Sequence, residues 1–128
     1  MTRKIIATEK APKALGPYSQ AVKVGGTVYL SGQIALDPAT GEIVSGDFET
    51  ETRRVLDNVR AVAEAAGGSL ANVVRFTIYL TDFAHFQVVN ELMKQYISAP
   101  YPARSTIGVA QLPRGVRVEI DAILELDG

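Results

Sequence analysis

From Phe48 to Ala66 the apolar residues recur with the helical period. Val55, Val59, Val62 and Ala66 fall at i, i+4, i+7 and i+11 on one stripe, while Arg53, Arg54, Asp57, Arg60 and Glu64 occupy other faces. Gly67-Gly68 supplies a left-handed stop, a backbone conformation that costs glycine nothing because it has no Cβ. A second stripe, Val88, Leu92 and Tyr96 with Val89 and Met93, predicts a helix that starts at Asp82 as N-cap and runs through Ile97. Elsewhere the period drops to two. Over Val73–Leu80, Val74, Phe76, Ile78 and Leu80 alternate with Val73, Arg75, Thr77 and Tyr79. Over Val116–Leu126, Val118, Ile120, Ala122, Leu124 and Leu126 alternate with Arg117, Glu119, Asp121, Glu125 and Asp127, the clearest strand in the chain. Shorter β-rich runs lie at Ile5–Thr8, at Ala21–Val24 and Thr27–Ile34 around a Gly25-Gly26 turn, and at Ser105–Gln111 before Leu112-Pro113-Arg114-Gly115.

The order β-β-β-α-β-α-β-β predicts an α+β domain, with two helices packed on one face of a mixed sheet. Two helices cover one face only. The other carries Ile123 among charged residues, and such a half-polar open face points to a partner subunit lying against it.

With 128 residues the chain fits one domain, residues 1–128, large enough for a real core. Thirteen basic against fourteen acidic residues leave a net charge of −1, which gives no electrostatic footprint for nucleic acid or an anionic membrane. The absence of cysteine excludes disulfides, thiolate nucleophiles and thiolate metal sites, and a single histidine, His85, is too few for the usual zinc sites. His85 on a helix is therefore expected to be a solvated or satisfied side chain. The N-terminus lacks the apolar core of a signal peptide, and no stretch has the apolar length of a membrane helix, so the expected location is the cytoplasm.

What chemistry is available centres on Arg104. It follows Ala99-Pro100-Tyr101-Pro102-Ala103, where two prolines stiffen the approach. A guanidinium mounted this way matches a carboxylate or phosphate bidentately, although a surface ion pair would use the same residue. Glu119, mid-strand between Val118 and Ile120, would be partly desolvated under a neighbouring subunit and able to act as a general base, or it simply pairs with Arg117 or a cross-strand arginine. Tyr18 follows the rigid Gly16-Pro17 turn and either binds a ligand or packs with its hydroxyl satisfied. Gly32 in Ser31-Gly32-Gln33 interrupts an apolar strand, the mark of a bulge or of close backbone approach. No Gly-x-Ser-x-Gly elbow and no phosphate-binding glycine loop occurs. The residues thus outline a small anion pocket of Arg104, Glu119 and the backbone near Ser31-Gly32, and leave open whether it catalyses or only binds.

Read together, Gly16-Pro17-Tyr18-Ser19-Gln20-Ala21, Ser31-Gly32-Gln33-Ile34, Leu56-Asp57-Asn58-Val59, Val89-Asn90, Tyr101-Pro102-Ala103-Arg104-Ser105, Leu112-Pro113 and Val118-Glu119-Ile120 resemble the RidA (YjgF-like) family of enamine/imine deaminases nearly end to end. The resemblance implies a chorismate-mutase-like α+β fold in a homotrimer whose sheets face inward, with clefts between subunits. It implies hydrolysis of a 2-imino acid or its enamine (2-iminopropanoate, 2-iminobutanoate) to a 2-keto acid and ammonia, with no metal or organic cofactor. In that reading Arg104 anchors the carboxylate, Glu119 holds and activates water, and Tyr18, Ser31, Gly32, Asn90 and Thr106 line the cleft. Thr106 departs from many bacterial relatives, which carry cysteine there. The alternatives within the resemblance are a regulatory trimer that binds small carboxylates without turnover, and an endoribonuclease or translation inhibitor, which the neutral charge and single histidine disfavour.

Overall fold

The computed structural model describes residues 2–126. Six strands, β1 (Arg3–Ile6), β2 (Ala21–Val24), β3 (Thr27–Gln33), β4 (Val73–Leu80), β5 (Ala103–Gly108) and β6 (Val118–Glu125), join two helices, α1 (Phe48–Ala65) and α2 (Phe86–Tyr96). The strands form one sheet in the order β1-β2-β3-β6-β4-β5. Only β4 and β5 run parallel, joined by the crossover through α2, so the sheet is mixed as expected.

The buried stripe of α1, Val55, Leu56, Val59 and Val62, packs with Val89, Leu92 and Met93 of α2 against one face of the sheet. That face presents Val28, Phe76, Ile78, Val118, Ile120 and Leu124, all shielded from water. Each such side chain contributes roughly 1.5–3 kcal/mol on burial. Asp47 caps α1 by accepting from Thr50 N at 2.8 Å, and Gly67, at φ +99°, ends it.

The local departures from the sequence pattern have identifiable causes. The first strand spans Arg3–Ile6 rather than Ile5–Thr8, because the Thr8 N–H is taken by the Gln20 side chain at 2.7 Å instead of a ladder partner. A bulge sits between Val73, which faces Leu124, and Arg75, which faces Ile123. Val73 takes the inward position and Val74, expected inside, is 47 % exposed. Asp82 caps a 3₁₀ turn, Phe83–His85, through Ala84 N at 2.9 Å; α2 begins only at Phe86. Strand β5 spans Ala103–Gly108 rather than Ser105–Gln111, since its one neighbour, β4, ends at Leu80. Strand β6 starts at Val118 because the Arg117 N–H goes to Glu51 Oε2 at 2.8 Å. Asp127, expected on the polar side of β6, lies outside the described residues.

No helix covers the second face. It exposes Glu119, Asp121 and Ile123 on β6 and Arg75, Thr77 and Tyr79 on β4. Ile5, Tyr29 and Ile107 stand on the same side, each at least 44 % exposed.

Candidate active site

Strand parity decides where the chemistry goes. Arg104 is opposite Phe76 in the parallel β4–β5 ladder, so its side chain shares the helix-covered face. There Arg104 Nη1 donates to Asn90 Oδ1 of α2 at 2.6 Å, and the guanidinium lies 5.4 Å from the Phe86 ring centroid. Arg104 and Asn90 border a cleft of about 400 Å³ closed by Tyr101, Pro102 and Lys94, the last paired with Glu91 at 3.2 Å. Arg104 itself is exposed, because β5 is an edge strand with nothing beyond it.

Glu119 is opposite Tyr79 and faces the other way. Between Leu30 and Gln33 the β3–β6 register shifts, so Ser31 and Gly32 together oppose the single residue Asp121. The bulge lets the Glu119 side chain lie directly over Gly32, where a Cβ would collide with the carboxylate. The bulge that the glycine in an apolar strand forecast is present, and the close approach to it is made by a side chain of the neighbouring strand. Glu119, Gly32 and Tyr18 border a second cavity of about 290 Å³ whose apolar wall is Pro12, Ile34, Leu36 and Pro113. Loss of water around Glu119 raises its carboxyl above the ordinary 4.5, and the nearby Asp121 charge adds to the shift. Among the described residues no side chain or backbone group donates a hydrogen bond to that carboxylate, and Arg117, a candidate partner, is bound instead to buried Glu51 at 2.7 Å.

The remaining candidates are distributed unevenly. Tyr18 stands at the mouth of the Glu119 cavity, 55 % exposed, after a turn closed by Tyr18 N donating to Gly16 O at 2.8 Å. Ser31 lines neither cavity; its hydroxyl donates to Ser19 O at 2.6 Å and its N–H to Gln20 O at 3.0 Å, fastening the bulge to the preceding segment. Thr106, opposite Ile78, is half-buried and also lines neither cavity. His85 stacks on Phe48 with ring centroids 4.0 Å apart, and no group of three His, Asp or Glu able to hold a metal occurs among the described residues. One chain therefore brings Tyr18 and Gly32 to Glu119, and Asn90 to Arg104, but keeps the two groups on opposite faces of the sheet. A single chain does not by itself bring Arg104 into the cavity of Glu119 and Gly32.

Two supporting residues escaped the reading of single residues. Asn58, fully buried on α1, donates to Ile34 O at 3.1 Å and Leu36 O at 3.0 Å, holding the apolar wall of the Glu119 cavity. Gln20, 5 % exposed, accepts from Thr8 N and donates to Thr8 O, Ala11 O and Pro12 O, which folds residues 8–13 onto the same cavity. The signal for Asn58 was present: a polar residue three positions from Val55, inside the buried stripe.

Comparison with known proteins matches residues 8–126 to the family model described as Endoribonuclease L-PSP. The human 2-iminobutanoate/2-iminopropanoate deaminase is 47% identical over 123 residues, 96% of this chain and 90% of that one. The crystal structure of RidA from an Antarctic Psychrobacter superposes with a TM-score of 0.93 at 51% identity, covering 96% of this chain and 99% of that one.

The chain belongs to the RidA/YjgF family.

The RidA relatives include E. coli TdcF, solved with bound serine, at a TM-score of 0.91 and 42% identity over 97% of this chain and 99% of that one. The expected α+β fold is the RidA fold found here. The family's names point two ways, to a ribonuclease and to an imine deaminase. No helix of the described residues is long and apolar enough to cross a membrane.

Proposed function

We propose that this chain hydrolyses 2-imino acids and their enamine tautomers to 2-keto acids and ammonia, in clefts assembled from two copies. The observation that carries the reading is the Glu119 carboxylate: half-buried, without a protein donor, and held over the backbone of Gly32. A carboxylate made more basic by dehydration and left without a partner is suited to hold a water molecule and take its proton.

The parity of β5 and β6 supports a site completed by a second copy. Arg104 lies on the exposed edge strand of the sheet, and Glu119 on the face that no helix covers. Docking the β5 edge of one copy against the open face of the next places an Arg104 half-site beside a Glu119 half-site. Such a contact is head-to-tail, and three of them close a ring, the trimer that the resemblance implies. The apolar residues exposed on the open face, Ile5, Tyr29 and Ile107, support that assembly.

In the assembled cleft the Arg104 fork takes the substrate carboxylate, steadied by Asn90 Oδ1 on one Nη and by the Phe86 ring beneath. Glu119 accepts a proton from water as the oxygen attacks C2 of the imine, and the C=N π electrons move to nitrogen. Glu119 returns that proton to nitrogen to give the neutral carbinolamine, then takes the hydroxyl proton and passes it to the amine as the O–H electrons form C=O and the C–N bond breaks, giving ketone and ammonia. Water is the only co-reactant. Orientation and one base suffice, because C2 of an imine is already electrophilic. Tyr18 at the mouth borders the same cavity and is proposed to contact the substrate, whereas Ser31 acts through the backbone it holds. A ribonuclease would need cationic tracking of a phosphate backbone, and the net charge of −1 supplies none.

The direct test generates 2-aminoacrylate with a pyridoxal-phosphate-dependent serine dehydratase in the presence of semicarbazide. The protein is expected to speed pyruvate release and suppress the semicarbazone; unchanged trapping contradicts the proposal and favours a passive carboxylate binder.

A further inference from the structure

Arg104 is not the cation that shares a cavity with Glu119 in one chain. Lys13 is. Among the residues bordering the 290 Å³ cavity, Lys13 is the only cation and Glu119 the only anion. Lys13 forms no ion pair with any described residue. Its backbone is well placed, because the buried Gln20 amide donates to Pro12 O at 2.8 Å and Ala11 O at 3.3 Å, and Pro12 immediately precedes it. The lysine stem is therefore anchored at the cavity wall while the ammonium remains free to reach a ligand.

The layout of that wall gives the ligand class. A substrate whose C2 meets water at Glu119, and whose carboxylate is drawn to Arg104 of the adjoining copy, has its side chain left to fill the rest of the cavity. There it meets Pro12, Ile34, Leu36 and Pro113, which suit methylene groups, and Lys13 on the same lining. We propose that Lys13 is a specificity-determining residue that receives a second, terminal carboxylate, so that 2-imino dicarboxylates, the imines of acidic amino acids, are substrates alongside 2-iminopropanoate. This inference rests on the deaminase reading above and extends it from the reacting group to the side chain.

The experiment compares two imines made in situ by amino-acid oxidases with catalase present, one from glutamate and one from alanine, each in competition with semicarbazide. Lys13→Ala is expected to lower kcat/KM for the glutamate-derived imine about fivefold, mostly through KM, and to leave the alanine-derived imine unchanged. Lys13→Arg should restore the difference, and Lys13→Glu should enlarge the loss. Equal effects of Lys13→Ala on both imines, or no effect on either, overturn the inference while leaving the deaminase reading intact. Wild-type activity on the alanine-derived imine with none on the dicarboxylate does the same. Activity on neither imine overturns both.

Discussion

Arg104→Ala is expected to lower kcat/KM for 2-iminopropanoate by at least about a hundredfold, with the oligomeric state and melting temperature close to wild type. The reasoning separates function from fold. Arg104 is exposed, it bonds only to Asn90, and no buried group depends on it; substitutions at such positions usually change stability by less than about 0.5 kcal/mol. In the proposed site, what the substitution removes is the fork that fixes the carboxylate, and with it the orientation of C2 toward the water at Glu119. Arg104→Lys keeps the charge and loses the bidentate geometry, so it should recover only part of the activity. Steady-state kinetics together with size-exclusion chromatography and a thermal melt check this. Full activity in Arg104→Ala would remove the anchor from the mechanism.

Glu119→Gln should remove activity by a different route and make the protein more stable. The amide matches the carboxylate in shape but cannot take a proton, so kcat is expected to fall by about 10²–10⁴ with little change in KM. The stability effect follows from linkage. Burial and Asp121 raise the Glu119 carboxyl above 4.5, so the folded chain holds that proton more tightly than the unfolded chain. The folded state is therefore favoured by this group at low pH, and that advantage is lost as pH rises from 4.5 through the raised value. At neutral pH the ionised Glu119 is a cost that Gln removes. Thermal melts should show Glu119→Gln above wild type at pH 7, the gap closing well below pH 4.5; a variant less stable than wild type at pH 7 contradicts the desolvated, unpartnered carboxylate. The wild-type rate should fall with acid as Glu119 protonates, above the ordinary carboxylate range.

Periodicity carried most of the fold. The valine stripe of α1 and the alternation of β6 are visible in the sequence because each element buries one face, and burial enforces period. The errors fell where a single side chain overrode the period: Gln20 drew Thr8 out of β1, Glu51 drew Arg117 out of β6, and the Val73/Arg75 bulge exchanged the two valines. Topology was harder to read. Nothing local says that β6 inserts between β3 and β4, yet that insertion sets Glu119 beside the Ser31-Gly32 bulge. The residue types of the site were legible as well, with Gly32, Glu119 and Arg104 all singled out. Their arrangement was not, because the face on which Arg104 lies depends on its register with Phe76, a partner 28 residues away in sequence. Lys13 carried no motif of its own and stands out only once Gln20 has folded its segment over the cavity.

The central claim is that each active site takes Arg104 from one copy and Glu119 from another. Arg104→Ala and Glu119→Gln chains, co-expressed with different affinity tags and purified through both, test it most directly. In a closed ring of three containing both variants, one of the three sites joins an intact Arg104 to an intact Glu119. The mixed protein should therefore recover about one third of wild-type activity from two variants that are each inactive alone. A mixed protein as inactive as its parents would show that Arg104 and Glu119 do not meet across a subunit boundary, and the composite site would fall.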